Sequence, residues 1–175
     1  MRRLALISLV FVLAGAAWLG WHRFGPRPSA PPMAPDAVRV DHILIEKSAR
    51  LLTASLDGAV VLQADVALGF APEGDKQQEG DGKTPIGVFE IDRRNPQSAF
   101  HLSLGINYPQ PKDIENAHAQ GIDPGGDIFI HGQPNGVVGM TLPGDWTAGC
   151  IALSNAEMAK LWSLTSNGTV VEIRP

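Results

Sequence analysis

A mainly β domain behind an N-terminal apolar segment is the fold class this sequence predicts, and three observations predict it. Short alternating apolar runs recur along the chain, bounded by Gly, Asp and Pro. Glycine (19) and proline (14) are frequent while aromatic residues make up only 6% of the 175 residues, which suits strands and loops better than a helical bundle. Helical periodicity is confined to two short segments. The expectation is a β-rich α+β sandwich or barrel with a few short helices.

The N-terminal segment, residues 1–24, opens with Arg2-Arg3 and continues with an uncharged stretch from Leu4 to Trp21. As a helix, that stretch would reach roughly 27 Å, close to the hydrocarbon thickness of a bilayer. Positive charge ahead of it would hold the N-terminus in the cytoplasm and send the rest across. It reads as a membrane anchor or as a cleaved signal segment with its cut near Ala14-Gly15-Ala16. Residues 25–36, GPRPSAPPMAPD, hold five prolines and read as an extended linker. Residues 37–175 form the expected folded domain.

Within that domain the elements follow in order. His42–Glu46 and Arg50–Leu56 read as strands. Asp57-Gly58 is a hairpin turn signal, and Ala59–Ala67 returns from it. Glu73–Lys83 is polar and reads as an exposed loop. Val88–Asp92 alternates after Gly87. Lys112–Gln120 is a short polar helix stopped by Gly121. Ile128–Ile130 runs as a strand straight into His131. Ser154 and Glu157 form a capping box, Met158, Leu161, Trp162 and Thr165 recur at helical spacing, and Gly168 stops the helix. That apolar stripe reads as core. Val170–Ile173 closes the chain as a strand, and no internal repeat is found.

Composition narrows the function classes. A net charge of −4 and a pI near 5.7, with no basic run beyond Arg2-Arg3, speak against nucleic acid. Five scattered histidines and one cysteine supply no metal-ligand spacing, so neither a metal nor a cofactor is expected. His101 and His118 lie outside any motif and read as surface residues.

The single cysteine, Cys150, ends a Gly- and Pro-rich loop whose other end is His131. A lone cysteine is either a small buried hydrophobe or a reactive thiol. A nucleophilic thiol needs a base and donors for the oxyanion formed on attack. Gly149 permits a tight turn before Cys150, so the N–H groups of Ala148, Gly149 and Cys150 could converge on one carbonyl oxygen. His131 sits at a strand end, a rigid mount for a base. Spacing alone leaves open whether His131 is that base or a structural histidine.

Two motifs decide between these readings. His131-Gly132 is followed by Asp145-Trp146-Thr147-Ala148-Gly149-Cys150-Ile151-Ala152-Leu153, and Asp81-Gly82-Lys83-Thr84-Pro85-Ile86-Gly87-Val88-Phe89 lies upstream. In that order, over residues 41–173, they resemble the L,D-transpeptidase (YkuD domain) family, whose pattern is His-Gly, a loop, then Ser/Thr-x-Gly-Cys. The WTAGCIAL version resembles a murein-active subgroup. The resemblance implies a β-rich periplasmic cell-wall enzyme with Cys150 as nucleophile and His131 as general base. It implies an oxyanion hole from amides near Gly149 and Cys150, including Ala148, and Gly132, Trp146 and Thr147 at the substrate. Trp146 either lines the groove or anchors the loop by burial. Lys83-Thr84-Pro85 reads as fixing a turn.

Two positions depart from the family pattern. Ala148 stands where many members have His, and Ala152 where many have Arg. The acceptor therefore stays open. An amine would make a transpeptidase of peptidoglycan stem peptides. Water would make a murein amidase or L,D-carboxypeptidase, acting on the same bond or on one joining a lipoprotein to murein. A non-catalytic wall-binding module is the remaining reading. The expected location is the periplasmic face of the cytoplasmic membrane, or the periplasm if the leader is cleaved.

Overall fold

The computed structural model describes residues 13–20, 29–137 and 139–175. Eight strands form one mixed, curled sheet: β1 (Val40–Glu46), β2 (Leu51–Leu56), β3 (Ala59–Asp65), β4 (Gly87–Asn95), β5 (Ser103–Ile106), β6 (Phe129–His131), β7 (Ile151–Ala152) and β8 (Thr165–Arg174). Their order is β3-β2-β1-β8-β4-β5-β6-β7. The expected sandwich or barrel is thus a single half-barrel. Within the domain, the described residues add two α-helices, α1 (Pro111–Ala119) and α2 (Asn155–Leu164), and a 3-10 turn at Asp36–Val38.

The first three strands follow the sequence pattern. Asp57 and Gly58 take φ of +50° and +78°, the left-handed pair that a tight hairpin turn requires. β1 alternates so that Ile43 and Ile45 are fully buried, and β2 places Leu52 and Ala54 beside them. β3 is an edge strand with Val60 and Val61 exposed. The last strand, β8, inserts in the middle of the sheet, parallel to β1 and antiparallel to β4.

α2 begins as read from its capping box. Ser154 Oγ accepts from Glu157 N at 3.2 Å, and the Glu157 carboxylate accepts from Ser154 N at 3.3 Å. Such a cap contributes about 1 kcal/mol. Met158, Leu161 and Trp162 are buried against the sheet, each adding about 1.5–3 kcal/mol by area removed from water. The Arg94 guanidinium lies 4.0 Å over the Trp162 ring.

Two strands were not evident from pattern. β5 is buried at all four positions, so it shows no alternation. β7 is two residues long and exists only through its partners. The Glu73–Lys83 loop is also less exposed than its polarity suggests. Asp81 accepts from the N–H groups of Gln77, Gln78 and Lys83 and pairs with the buried Lys76 ammonium at 3.0 Å. Burial raises the Asp81 carboxyl pKa, but these donors outweigh it and leave it below the usual range.

Ahead of the sheet, the second half of the proline-rich segment lies against the domain. Ala34 N donates to Ser163 O at 2.8 Å, and Ala30 packs against the core. Residues 13–20 are helical. Among the described residues no helix is long and apolar enough to cross a membrane. Residues 4–12 and 21 of the expected anchor lie outside the described residues.

Ile43, with 0% exposure in β1 between β2 and β8, tests the core. Ile43→Ala should lower stability by about 2–5 kcal/mol, and Val60→Ala on the exposed edge by less than about 0.5 kcal/mol. Urea midpoints at equal m-values measure both.

Candidate active site

The parallel pairing of β6 and β7 builds the site. Ile130 pairs with Ile151 and His131 with Ala152, so Cys150, just before β7, falls beside Phe129. Phe129 and His131 are two apart on one strand and share a face. The Phe129 N–H donates to Cys150 Sγ at 3.4 Å, and the thiol reaches Asp127 O at 3.5 Å. Cys150 and His131 line one cavity of about 410 Å³. Phe100, Phe129, Trp146 and Ala148 supply most of its apolar wall, and Asn95, Ser98, Ser103 and Thr147 its polar edge.

The imidazole of His131 is fixed and oriented. It is 4% exposed, with Phe100 at 4.6 Å and Trp146 at 5.8 Å between ring centroids. Nδ1 lies 2.7 Å from Gly132 O. A carbonyl only accepts, so Nδ1 carries the proton and Nε2 keeps its lone pair. Burial lowers the His131 pKa, against the opposite pull of the Gly132 bond. Burial likewise raises the Cys150 thiol, and the Asp127 charge adds to the rise, while the Phe129 amide opposes it. Both groups rest neutral near pH 7. The chemistry this arrangement suits is proton transfer from thiol to imidazole as the sulfur attacks a carbonyl.

The turn before Cys150 is held from both sides. The Asp145 carboxylate accepts from Arg50 Nη2 and from Leu68 N, each at 2.8 Å. Thr147 N donates to Leu68 O, Phe70 N to Thr147 O, and Ala67 and Ala152 exchange both backbone bonds. Thr147 Oγ1 donates to Cys150 O at 2.7 Å and accepts from Gly149 N at 3.1 Å. Thr147 therefore braces the turn from within.

Gly149 has φ +136°, and an added Cβ would stand 2.7 Å from Lys83 O. This contact ties the upstream motif to the downstream one. Thr84, fully buried, accepts from Gly69 N at 3.1 Å, and Lys47 Nζ donates to Thr84 O at 2.7 Å. The Lys83-Thr84 stretch is a buttress, in line with its reading as a turn.

Trp146, Thr147 and Ala148 line the cavity beside Cys150 and His131. Trp146 forms cavity wall while half-buried against His131 and Phe100. Gly132 and Gly149 lie behind the wall. A Cβ on Gly132 would come within 2.6 Å of Asn155 Oδ1 and 2.9 Å of His101 Cβ, so its place is positional. The Gly149 N–H is taken by Thr147. Among the described residues the amides of Ala148 and Cys150 have no such partner. His101, expected on the surface, is half-buried with Nε2 lacking a partner, and burial lowers its pKa. His118 is exposed on α1. Asn95, Ser98, Phe100, Ser103 and Asp127 were missed. Only Asp127, just ahead of the strand into His131, had a sequence signal.

Residues 40–173 match the L,D-transpeptidase catalytic domain model. The chain belongs to that family. Among solved structures, the L,D-transpeptidase domain seen here is similar to the helical cell shape determining protein Pgp2 of Campylobacter jejuni. Identity is 29% and the TM-score 0.59, over 77% of this chain and 47% of that one. Bd1075 of Bdellovibrio bacteriovorus shares the fold at 22% identity and TM-score 0.56, over 83% and 51%. An L,D-transpeptidase from Mycobacterium smegmatis shares it at 16% and 0.52, over 77% and 58%. The chain thus spans about half the length of these relatives. No curated protein matches significantly.

Two measurements check this geometry. The His131 ring should titrate below 6.5, its ordinary value, in an NMR pH series, because burial disfavours the imidazolium. Gly149→Ala should displace the turn and slow alkylation of Cys150 by iodoacetamide at least several-fold or lower stability, since the Lys83 carbonyl cannot yield as a side chain would.

Proposed function

We propose that this L,D-transpeptidase-family domain is a cysteine-dependent acyl transferase acting on peptidoglycan stem peptides. The observation carrying the proposal is the single cavity holding the Cys150 thiol and an imidazole whose Nδ1 proton is committed to Gly132 O. His131 Nε2 takes the thiol proton as Sγ attacks the carbonyl at the L-centre of the diamino-acid residue. The N–H groups of Cys150 and Ala148 face the developing oxyanion. His131 returns the proton to the departing D-amino acid amine, leaving a thioester on Cys150. An acceptor amine then attacks, His131 takes its proton, and the thiolate leaves and is reprotonated.

Water in place of the amine gives hydrolysis, the second reading. Ala152 in place of the family's arginine removes a cation near the thiol or the substrate carboxylate and so leaves the acceptor open. The murein substrate places the domain outside the cytoplasmic membrane, held there by the N-terminal segment if that is retained. A murein-linked lipoprotein is the further candidate substrate under the hydrolytic reading.

Incubation of the full chain with lipoprotein-bearing sacculi, followed by digestion and mass analysis, tests the proposal. New diaminopimelate cross-links or exchanged terminal D-amino acids indicate transfer. Loss of terminal D-Ala or of lipoprotein remnants without new bonds indicates hydrolysis. Cys150→Ala should abolish either change, and murein processing by that variant would overturn the mechanism. His131→Ala should lower the rate by about 10²–10⁴-fold.

The pH profile follows from the same groups. The base works when neutral, that is, above its pKa. Because burial lowers that pKa, the acid limb of kcat/KM should fall below 6.5. A route through free thiolate would instead climb steeply at alkaline pH, since the thiol pKa is raised.

A further inference from the structure

Asp127 carries the only formal charge in the lining of the Cys150 cavity among the described residues. It also lines a second, more open groove of about 400 Å³, shared with Arg93 and Tyr108. Asp127 is thus common to the walls of both spaces.

Its presentation is unusual for a structural residue. The side chain is 88% exposed and pairs with Arg93 Nη2 through Oδ1 at 2.9 Å. Arg93 is itself fixed 4.6 Å over the Phe129 ring. An exposed pair of this kind adds little to stability. Asp127 also holds φ +54°, a left-handed conformation that Asp and Asn tolerate better than most side chains. Its charge works against thiolate formation at Cys150. The nucleophile does not account for a carboxylate here. A cationic group brought by the substrate does: it would neutralise the charge beside the thiol and form a charge-assisted hydrogen bond with Oδ2.

We infer that Asp127, aimed by Arg93, is a specificity-determining residue that binds a primary ammonium group of the peptide substrate at the mouth of the Cys150 cavity. The inference rests on reading that cavity as the acyl-transfer site. The ammonium belongs either to the donor's diamino-acid side chain or to the acceptor.

Binding tests it without turnover. In the full chain carrying Cys150→Ala, a stem tetrapeptide with a free diamino-acid side-chain amine should bind at least about ten-fold tighter than its N-acetyl form. Adding Asp127→Asn, which keeps the shape and tolerates the left-handed backbone, should erase that difference. With Cys150 present, Asp127→Asn should lower the ratio of kcat/KM for the free-amine donor to that for the acetylated one, a ratio that a change in thiol reactivity common to both donors leaves unmoved. If the donors are not distinguished but Asp127→Asn raises the amine concentration needed for half-maximal transfer, the bound ammonium is the acceptor's and the assignment stands. Equal loss on both donors, with no change in binding contrast or acceptor demand, overturns it. Failure of the acyl-transfer reading would show separately, as no turnover by the Cys150 protein, while the binding contrast still decides the role of Asp127.

Discussion

The pairing of β6 with β7 is the constraint on which the site depends. β7 is two residues long, too short to hold its own register. It is placed by β6 on one side and by the Ala67–Phe70 segment on the other, where Ala67 and Ala152 exchange backbone bonds. This double clamp puts Cys150 beside Phe129, two residue pairs short of His131. A slip of one residue would turn the thiol to the opposite face of the sheet. The Asp145 carboxylate, bridging Arg50 and Leu68 N, guards against that slip from the loop side.

Electrostatics follow from the same packing. Aromatic rings cover the imidazole, and the cavity wall near it is apolar. Such surroundings penalise both imidazolium and thiolate, so the resting pair is neutral. The substitutions at 148 and 152 agree with this state. An arginine two residues after Cys150 would pull the thiol pKa down, and Ala152, 2% exposed in β7, cannot. Under the proposed function, activation comes from proton transfer at the moment of attack, for which the Nδ1–Gly132 bond leaves Nε2 free.

Much of this was legible in sequence where local rules and tertiary environment agree. The Asp57-Gly58 turn, the Ser154 capping box and the strand into His131 each announce themselves through a residue type their geometry demands. The cysteine and histidine were legible as a pair only through motif order. What stayed hidden depends on partners far along the chain. β5 is buried on both faces and so loses the alternation that marks a half-buried strand. Phe100 reaches His131 from a loop with no periodicity, and Lys76 and Asp81 look like surface charges until the loop closes around them. Polarity of a segment does not reveal that its charges satisfy one another.

The two sequence motifs, Asp81–Phe89 and the one that ends at Gly149-Cys150, are one physical object. Gly149 must lack a side chain because the Lys83 carbonyl occupies the space where Cβ would stand. Lys83 is held there because Asp81 accepts its N–H and because Thr84, next along, is bonded to Gly69 N and Lys47 Nζ. Gly69 sits between the residues that clamp Thr147. The upstream motif therefore acts on the thiol without touching substrate: it sets the backbone path that aims Cys150. A motif of this kind carries information about chemistry only through its partner. Either half alone is a turn, and together they specify where a sulfur atom stands relative to an imidazole.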